Sequence, residues 1–205
     1  LWNIAKFVSA FKSAGKPKLM EADKMLLAYI NSLIEFTDKS YSEYNFFEPA
    51  GKLRHFLWEV FASHYLELVK ARAYNGEGRF SKEEQAGAVF TLNYCLEKML
   101  LLLAPIIPVI TSKIFKELYG KDVHSEKFPE AKERVKSRAK VESLLEVNSF
   151  IWKAKRDKQL SLKAPLKEII LPKKHWDLKG ISADLKAAHS TEKISFSGKE
   201  IEIRF

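Results

Sequence analysis

The side chains of this sequence best equipped for chemistry are its cations, and their pattern suits binding better than bond-making. Between Lys132 and Lys174 there are 13 Lys+Arg against 5 Asp+Glu, a net +8, while all 205 residues together carry +9. The densest cationic set is Arg134, Lys136, Arg138, Lys140, Lys153, Lys155, Arg156 and Lys158. Such a set holds phosphates by charge, which positions a nucleic acid without reading its sequence and makes affinity fall with salt. An acidic protein or a membrane surface would answer the same charge. Other chemistries find little support. His55, His64, His124, His175 and His189 have no metal-ligand spacing, and Cys95 alone builds neither a thiolate zinc site nor an intrachain disulfide. Gly76 and Gly78 begin a G-x-G, but Ser81 stands where a third glycine belongs and the segment follows a helical pattern, so it reads as a turn. No serine sits in a G-x-S-x-G context. Glu133, Glu142 and Glu146 fall on a solvated helix face. No catalytic residue, metal or cofactor is expected from these residues.

The elements that position the cations are mostly helical. Hydrophobic residues make up 46% and aromatics 12%, enough for a core, and the length suits one domain or one domain with a small appendage. Helix one is expected from Leu1 to about Ser13, ended by Gly15, Lys16 and Pro17. Helix two spans about Met20 to Ser42, with Leu26, Leu27, Ile30, Leu33, Ile34 and Tyr41 on one face. Helix three starts near Glu48 and stops at Asn75-Gly76, with Trp58, Phe61 and Tyr65 expected in the core. Ser81-Lys82-Glu83-Glu84 fits a capping box that opens helix four, to about Leu103. Pro105 and Pro108 break it, Val109–Tyr119 resumes, and Gly120 ends that helix. The basic helix is expected from Lys132 to Lys158. A strand over Lys167–Leu171, a helix over Ser182–His189 and a hairpin turning at Ser197-Gly198-Lys199 complete the chain. The fold class is therefore mainly α, an antiparallel helical bundle followed by a small α/β tail, divided as 1–130 and 131–205. The apolar run Val89–Ile110 contains Glu97, Lys98 and two prolines, so it reads as a core helix and not a membrane span. A single cysteine fits a reducing compartment, and the expected location is cytoplasmic. The opening L-W-N-I-A-K-F-V has no initiator Met and no capping residue before its apolar pattern, and reads as the interior of a longer protein.

Four segments carry a resemblance. Leu1–Val8 is like L-W-N-x-A-R-F-V, with Lys6 in place of Arg. His55–Arg72 is like F-F-W-x-x-F-C-D-x-Y-I-E-L-x-K, with Ala62 and Ser63 for Cys and Asp. Leu102–Tyr119 is like L-L-H-P-x-M-P-F-I-T-E-E-I-W, with Ala104 for His and Ser112-Lys113 for two acids. Val141–Leu166 contains V-N-x-x-I-W and L-S-L-K-x-P-L. Together, and in this order, they resemble the C-terminal part of class I aminoacyl-tRNA synthetases of the valyl, isoleucyl and leucyl branch, most closely the valyl enzymes. The H-x-G-H and K-M-S-K-S signatures of the catalytic core are absent from this sequence.

The resemblance implies an anticodon-binding bundle with no active site of its own, in a parent that joins valine to its tRNA using ATP. Its partners would be tRNA, with valine as the expected acceptor, and the catalytic domain of the same chain; it would bind no membrane and act as a monomer. Single-stranded RNA loops are read by aromatic stacking and by hydrogen bonds to base edges. The first motif implies that Phe7 lies against an anticodon base, with Lys6 beside it at a phosphate. Arg54, Lys70 and Arg72 on helix three would face the RNA backbone, and Arg134, Arg138, Lys153 and Arg156 would give a phosphate footprint. An isoleucyl enzyme with the same role and a basic helical module for an acidic protein partner are the alternatives.

Overall fold

The computed structural model describes residues 1–11, 15–131 and 135–205. Helices dominate: α1 (Trp2–Ser9), α2 (Glu21–Ser42), α3 (Phe47–His55), α4 (Leu66–Tyr74), α5 (Lys82–Leu103), α6 (Pro108–Tyr119) and α7 (Val141–Asp157). The tail adds strand β1 (Glu168–Pro172), 3-10 turns over Lys173–Ile181, helix α8 (Ser182–His189), and strands β2 (Ile194–Gly198) and β3 (Glu202–Arg204). The bundle with a small α/β tail is therefore observed. The expected end of helix one near Ser13 lies outside the described residues.

Local chemistry sets the ends of these helices. Ser81 Oγ accepts from the Glu84 N–H at 3.2 Å while the Glu84 carboxylate accepts from the Ser81 N–H at 3.1 Å, the reciprocal box expected from the sequence. Asp23 accepts from the Met20 N–H at 2.8 Å and so caps α2. Asn75 ends α4 in the left-handed region (φ 47) and exchanges two hydrogen bonds with the Phe80 backbone. Pro108 opens α6, and Gly120 (φ 68) closes it.

Between α3 and α4 the chain stays helical but widens to π geometry over Phe56–Tyr65. Ser63 Oγ donates to the Trp58 carbonyl five residues back, at 2.8 Å. A π turn holds more residues than an α turn and shifts which side chains share a face. Phe56, Phe61 and Tyr65 turn inward, and with Tyr29 of α2 their rings stack at centroid distances of 5.6, 6.1 and 6.3 Å. Trp58 was expected in the core and is instead 67% exposed.

Helix α5 is long and apolar enough to cross a membrane by composition, but 78% of its apolar window is buried within the fold. It packs on α1, α2, α3, α4 and α6 and is the axis of the bundle. Cys95 lies on it, fully buried, and burial pushes its thiol well above the usual range.

Two expectations for the C-terminal third are corrected. The basic helix expected from Lys132 to Lys158 is not continuous: residues 135–140 are not helical, and α7 starts at Val141. Their backbone N–H groups are drawn off the helical pattern by carboxylates from elsewhere. Glu21 Oε1 accepts from the Arg138 and Ala139 N–H groups and from Ser137 Oγ, and Asp177 accepts from the Lys140 N–H at 3.0 Å. The second correction concerns the hairpin. The sheet order is β2-β1-β3, with β1 parallel to β2 and antiparallel to β3, so the two strands flanking Ser197-Gly198-Lys199 never pair with each other. The fully buried β1 takes the centre. Glu168 at its start bonds Ser195 Oγ (3.2 Å), Lys193 Nζ (3.0 Å) and Arg204 Nη1 (2.8 Å), fastening both outer strands to it. The core runs without interruption across residue 130: Val141, Leu144, Ile151, Leu171 and Leu185 belong to the same buried cluster as α2 and α5.

Candidate nucleic-acid interface

Phe7 sits where α1 meets the end of α4. Both helices lean on α5, and this brings three rings together edge to face. Phe7 and Phe11 lie 5.2 Å apart between centroids, Phe11 and Tyr74 4.8 Å, and Phe7 and Tyr74 6.1 Å. Lys70 Nζ stands 5.5 Å from the Phe7 ring centroid and is paired with Glu67 at 3.0 Å. Phe7 and Phe11 are half-buried, whereas Tyr74 is 56% exposed. An aromatic face with a cation above it and an acid beside it can stack a base and bond its edge. Phe11 and Tyr74 were not singled out from the sequence, although Phe11 follows Phe7 by four residues and Tyr74 follows Lys70 by four, the spacing of one helix face.

Two clefts flank this trio, and Tyr74 belongs to both. One, of about 490 Å³, lies between α4 and the start of α5. The other, of about 260 Å³, is walled by the Asn75–Phe80 turn and the end of α8.

The other expected contacts divide sharply. Lys6 is exposed but faces a groove of about 290 Å³ against Ile114 and Leu118 of α6, away from the trio. Arg54 is exposed and shares a separate cleft with Gly51, His55 and the outward-turned Trp58. Arg138, Lys153 and Arg156 are exposed, and Arg134 lies outside the described residues.

Arg72 contradicts the expectation. It is fully buried and cannot reach a phosphate. Its guanidinium grips Asp23 (2.7 and 2.9 Å) and Asp184 (2.8 and 3.2 Å), and donates to the Glu84 carbonyl at 2.9 Å. Tyr65 adds its hydroxyl to Asp23 at 2.7 Å. The two carboxylates hold Arg72 protonated more firmly than usual, while burial holds Asp184 up at about 6 against the pull of the guanidinium. This cluster ties α2, α4, α5 and α8 together. Lys155 of the cationic set is also buried. Its Nζ donates to the carbonyls of Leu162 (2.8 Å), Ala164 (2.7 Å) and His189 (3.3 Å), and burial lowers its pKa. Lys155 therefore pins the L-S-L-K-A-P-L turn in place of serving as a surface charge. Among the described residues no group of three or more His, Cys, Asp or Glu could hold a metal ion.

Residues 23–170 match the family described as the anticodon-binding domain of tRNA ligase. The chain belongs to that family. It is similar to the valine–tRNA ligase of Aeropyrum pernix, 37% identical over 207 residues, a match that covers 97% of this chain and 25% of the relative. It is also similar to the valine–tRNA ligases of Pyrobaculum aerophilum, 41% identical over 79% of this chain and 21% of the relative, and of Archaeoglobus fulgidus, 34% over 83% and 20%. The chain thus spans about a quarter of the length of the curated relatives it matches. The matched span contains α4, which carries both Lys70 and Tyr74, and α5; Phe7 and Phe11 precede it.

Proposed function

We propose that this chain reads the anticodon of valine tRNA as the RNA-binding part of a valine–tRNA ligase. Bases of the anticodon loop stack on the Phe7–Phe11–Tyr74 cluster, with Lys70 supplying charge and Glu67 an acceptor for base edges. The exposed cations Arg138, Lys153 and Arg156 attract phosphates without reading sequence. The chain has no chemistry of its own in this reading. Activation of valine with ATP takes place in a catalytic domain of the parent, and remote tRNA contacts made here present the acceptor end to it. The chain works as a monomer within the cytoplasmic translation machinery.

The observation that carries the proposal is a partly exposed aromatic cluster, Tyr74 open and Phe7 and Phe11 half-buried, with a cation over Phe7, on a bundle of the anticodon-binding family. Removing one stacking ring weakens single-strand binding by roughly 1–3 kcal/mol. Phe7→Ala is therefore expected to weaken binding of a valine tRNA transcript by about tenfold or more, measured by filter binding, with helical content unchanged by circular dichroism. Wild-type affinity in a folded Phe7→Ala variant would refute the assignment.

A further inference from the structure

The larger of the two clefts beside Tyr74 contains a polar group whose orientation the fold has already fixed. Phe11 and Tyr74 give it aromatic walls, and Lys82 and Gln85, on the first turns of α5, give it polar ones. Its volume of about 490 Å³ lies within the roughly 300–1,000 Å³ usual for ligand pockets. Gln85 Nε2 donates to the Ala73 carbonyl at 2.9 Å and the Tyr74 carbonyl at 3.3 Å, the last carbonyls of α4 before Asn75 turns left-handed. Both partners accept only, so the nitrogen of the side-chain amide must point at α4. The oxygen of the same amide has no hydrogen-bond partner among the described residues. A fixed acceptor beside an aromatic ring suits a base that carries an exocyclic amine. Adenine, cytosine and guanine each offer an exocyclic amine on the pairing edge, whereas uracil offers carbonyls and a single ring N–H there.

We infer that this cleft is a nucleobase site: an unpaired RNA base stacks on Tyr74 and donates its exocyclic amine to Gln85 Oε1, while Lys82 meets the adjoining phosphate. Gln85 then favours a base that carries an exocyclic amine over uracil, which has none, at one loop position. The inference rests on the tRNA-binding reading above, and it adds a specificity-determining residue and the class of base that residue accepts.

The test is an amine scan of an anticodon stem–loop RNA carrying the valine anticodon, with affinity for this chain read by fluorescence anisotropy. Each loop adenine is replaced in turn by purine riboside, each loop cytosine by zebularine and each loop guanine by inosine, which removes only the amine. The expected result is a loss of roughly fivefold or more at one position, the weight of one hydrogen bond. Gln85→Met is expected to show the same loss on the unmodified loop and no further loss when that amine is removed. Tyr74→Leu weakens binding whatever base occupies the position. Gln85 also holds the end of α4, so each variant is melted in parallel, and the scan with the wild-type protein stands without any variant. Loop-dependent binding that no amine removal weakens would overturn the cleft assignment and leave anticodon binding intact. Independent, multiplying losses from Gln85→Met and amine removal would overturn it as well. Equal binding to the stem–loop and to an unrelated RNA of the same length would sink the anticodon reading and this inference with it.

Discussion

Lys70 and Arg72 stand two residues apart on α4 and meet opposite environments. Lys70 reaches over the Phe7 ring at the surface, while Arg72 closes a buried network with Asp23 and Asp184. Two carboxylates surround one guanidinium, and Tyr65 and the Glu84 carbonyl complete its contacts. Removing one partner of a buried ion pair leaves a charge uncompensated and costs about 3–5 kcal/mol. Arg72→Leu is expected to lower unfolding stability by that amount in urea titration, and to affect tRNA binding only through the loss of folded protein. A stable Arg72→Leu variant with weakened tRNA binding would return Arg72 to the interface. The helical period could not separate the two cations, because the acids that bury Arg72 come from positions 23 and 184, far off in the sequence. Phe7 was identified by its motif alone, and the rings that join it become visible only once α1 and α4 are packed on α5.

His189 adds a pH dependence at the same scale. Its Nε2 lies 2.9 Å from Asn148 Oδ1, and burial, with Lys155 nearby, lowers its pKa to about 3. The folded value lies below the unfolded one, so the stability contribution is present above about pH 6.5 and is lost as pH falls toward 3. Each unit is worth about 1.4 kcal/mol, so the loss spans several kcal/mol. Asp184, raised to about 6, works in the opposite sense: its contribution is full below its ordinary carboxylate value and fades as pH rises through 6. His189→Gln should therefore flatten the acid side of a stability–pH curve, measured by urea midpoints from pH 7 to 4. An unchanged slope would remove His189 as the cause.

At the scale of elements, the linker before α2 is held against α5 by backbone. Lys18 N–H donates to the Glu83 carbonyl at 2.9 Å, and a Cβ on Gly87 would meet the Lys18 carbonyl oxygen at 2.2 Å. Gly87→Ala must displace that linker, at a cost of about 1–3 kcal/mol typical of overpacking, to be read as a lower urea midpoint. A neutral substitution would mean the linker does not rest there. Helix centres, the capping box, the proline break and α8 were all readable, because each is written in neighbouring residues. The start of α7 and the strand pairing were not. The first depends on Glu21 capturing the backbone near Arg138, and the second on a buried β1 competing for both partners of an apparent hairpin. The π stretch has no local marker either.

For the molecule as a whole, the +9 charge and the fold serve different ends. Cations spread over the surface attract any RNA, with affinity falling steeply as salt rises. In the proposed reading, discrimination comes from the aromatic cluster and its clefts, which depend less on salt. The bundle and the α/β tail share one buried cluster, so the α4 end that carries Tyr74 is held from both sides. The most direct measurement is binding of this chain to a valine tRNA transcript and to the same transcript with an altered anticodon, across a salt series. The account predicts weaker binding to the altered transcript at every salt concentration, with both affinities falling in parallel and their ratio retained. Equal affinities that decline together would contradict it and would reduce the chain to a basic helical surface that holds RNA by its phosphates alone.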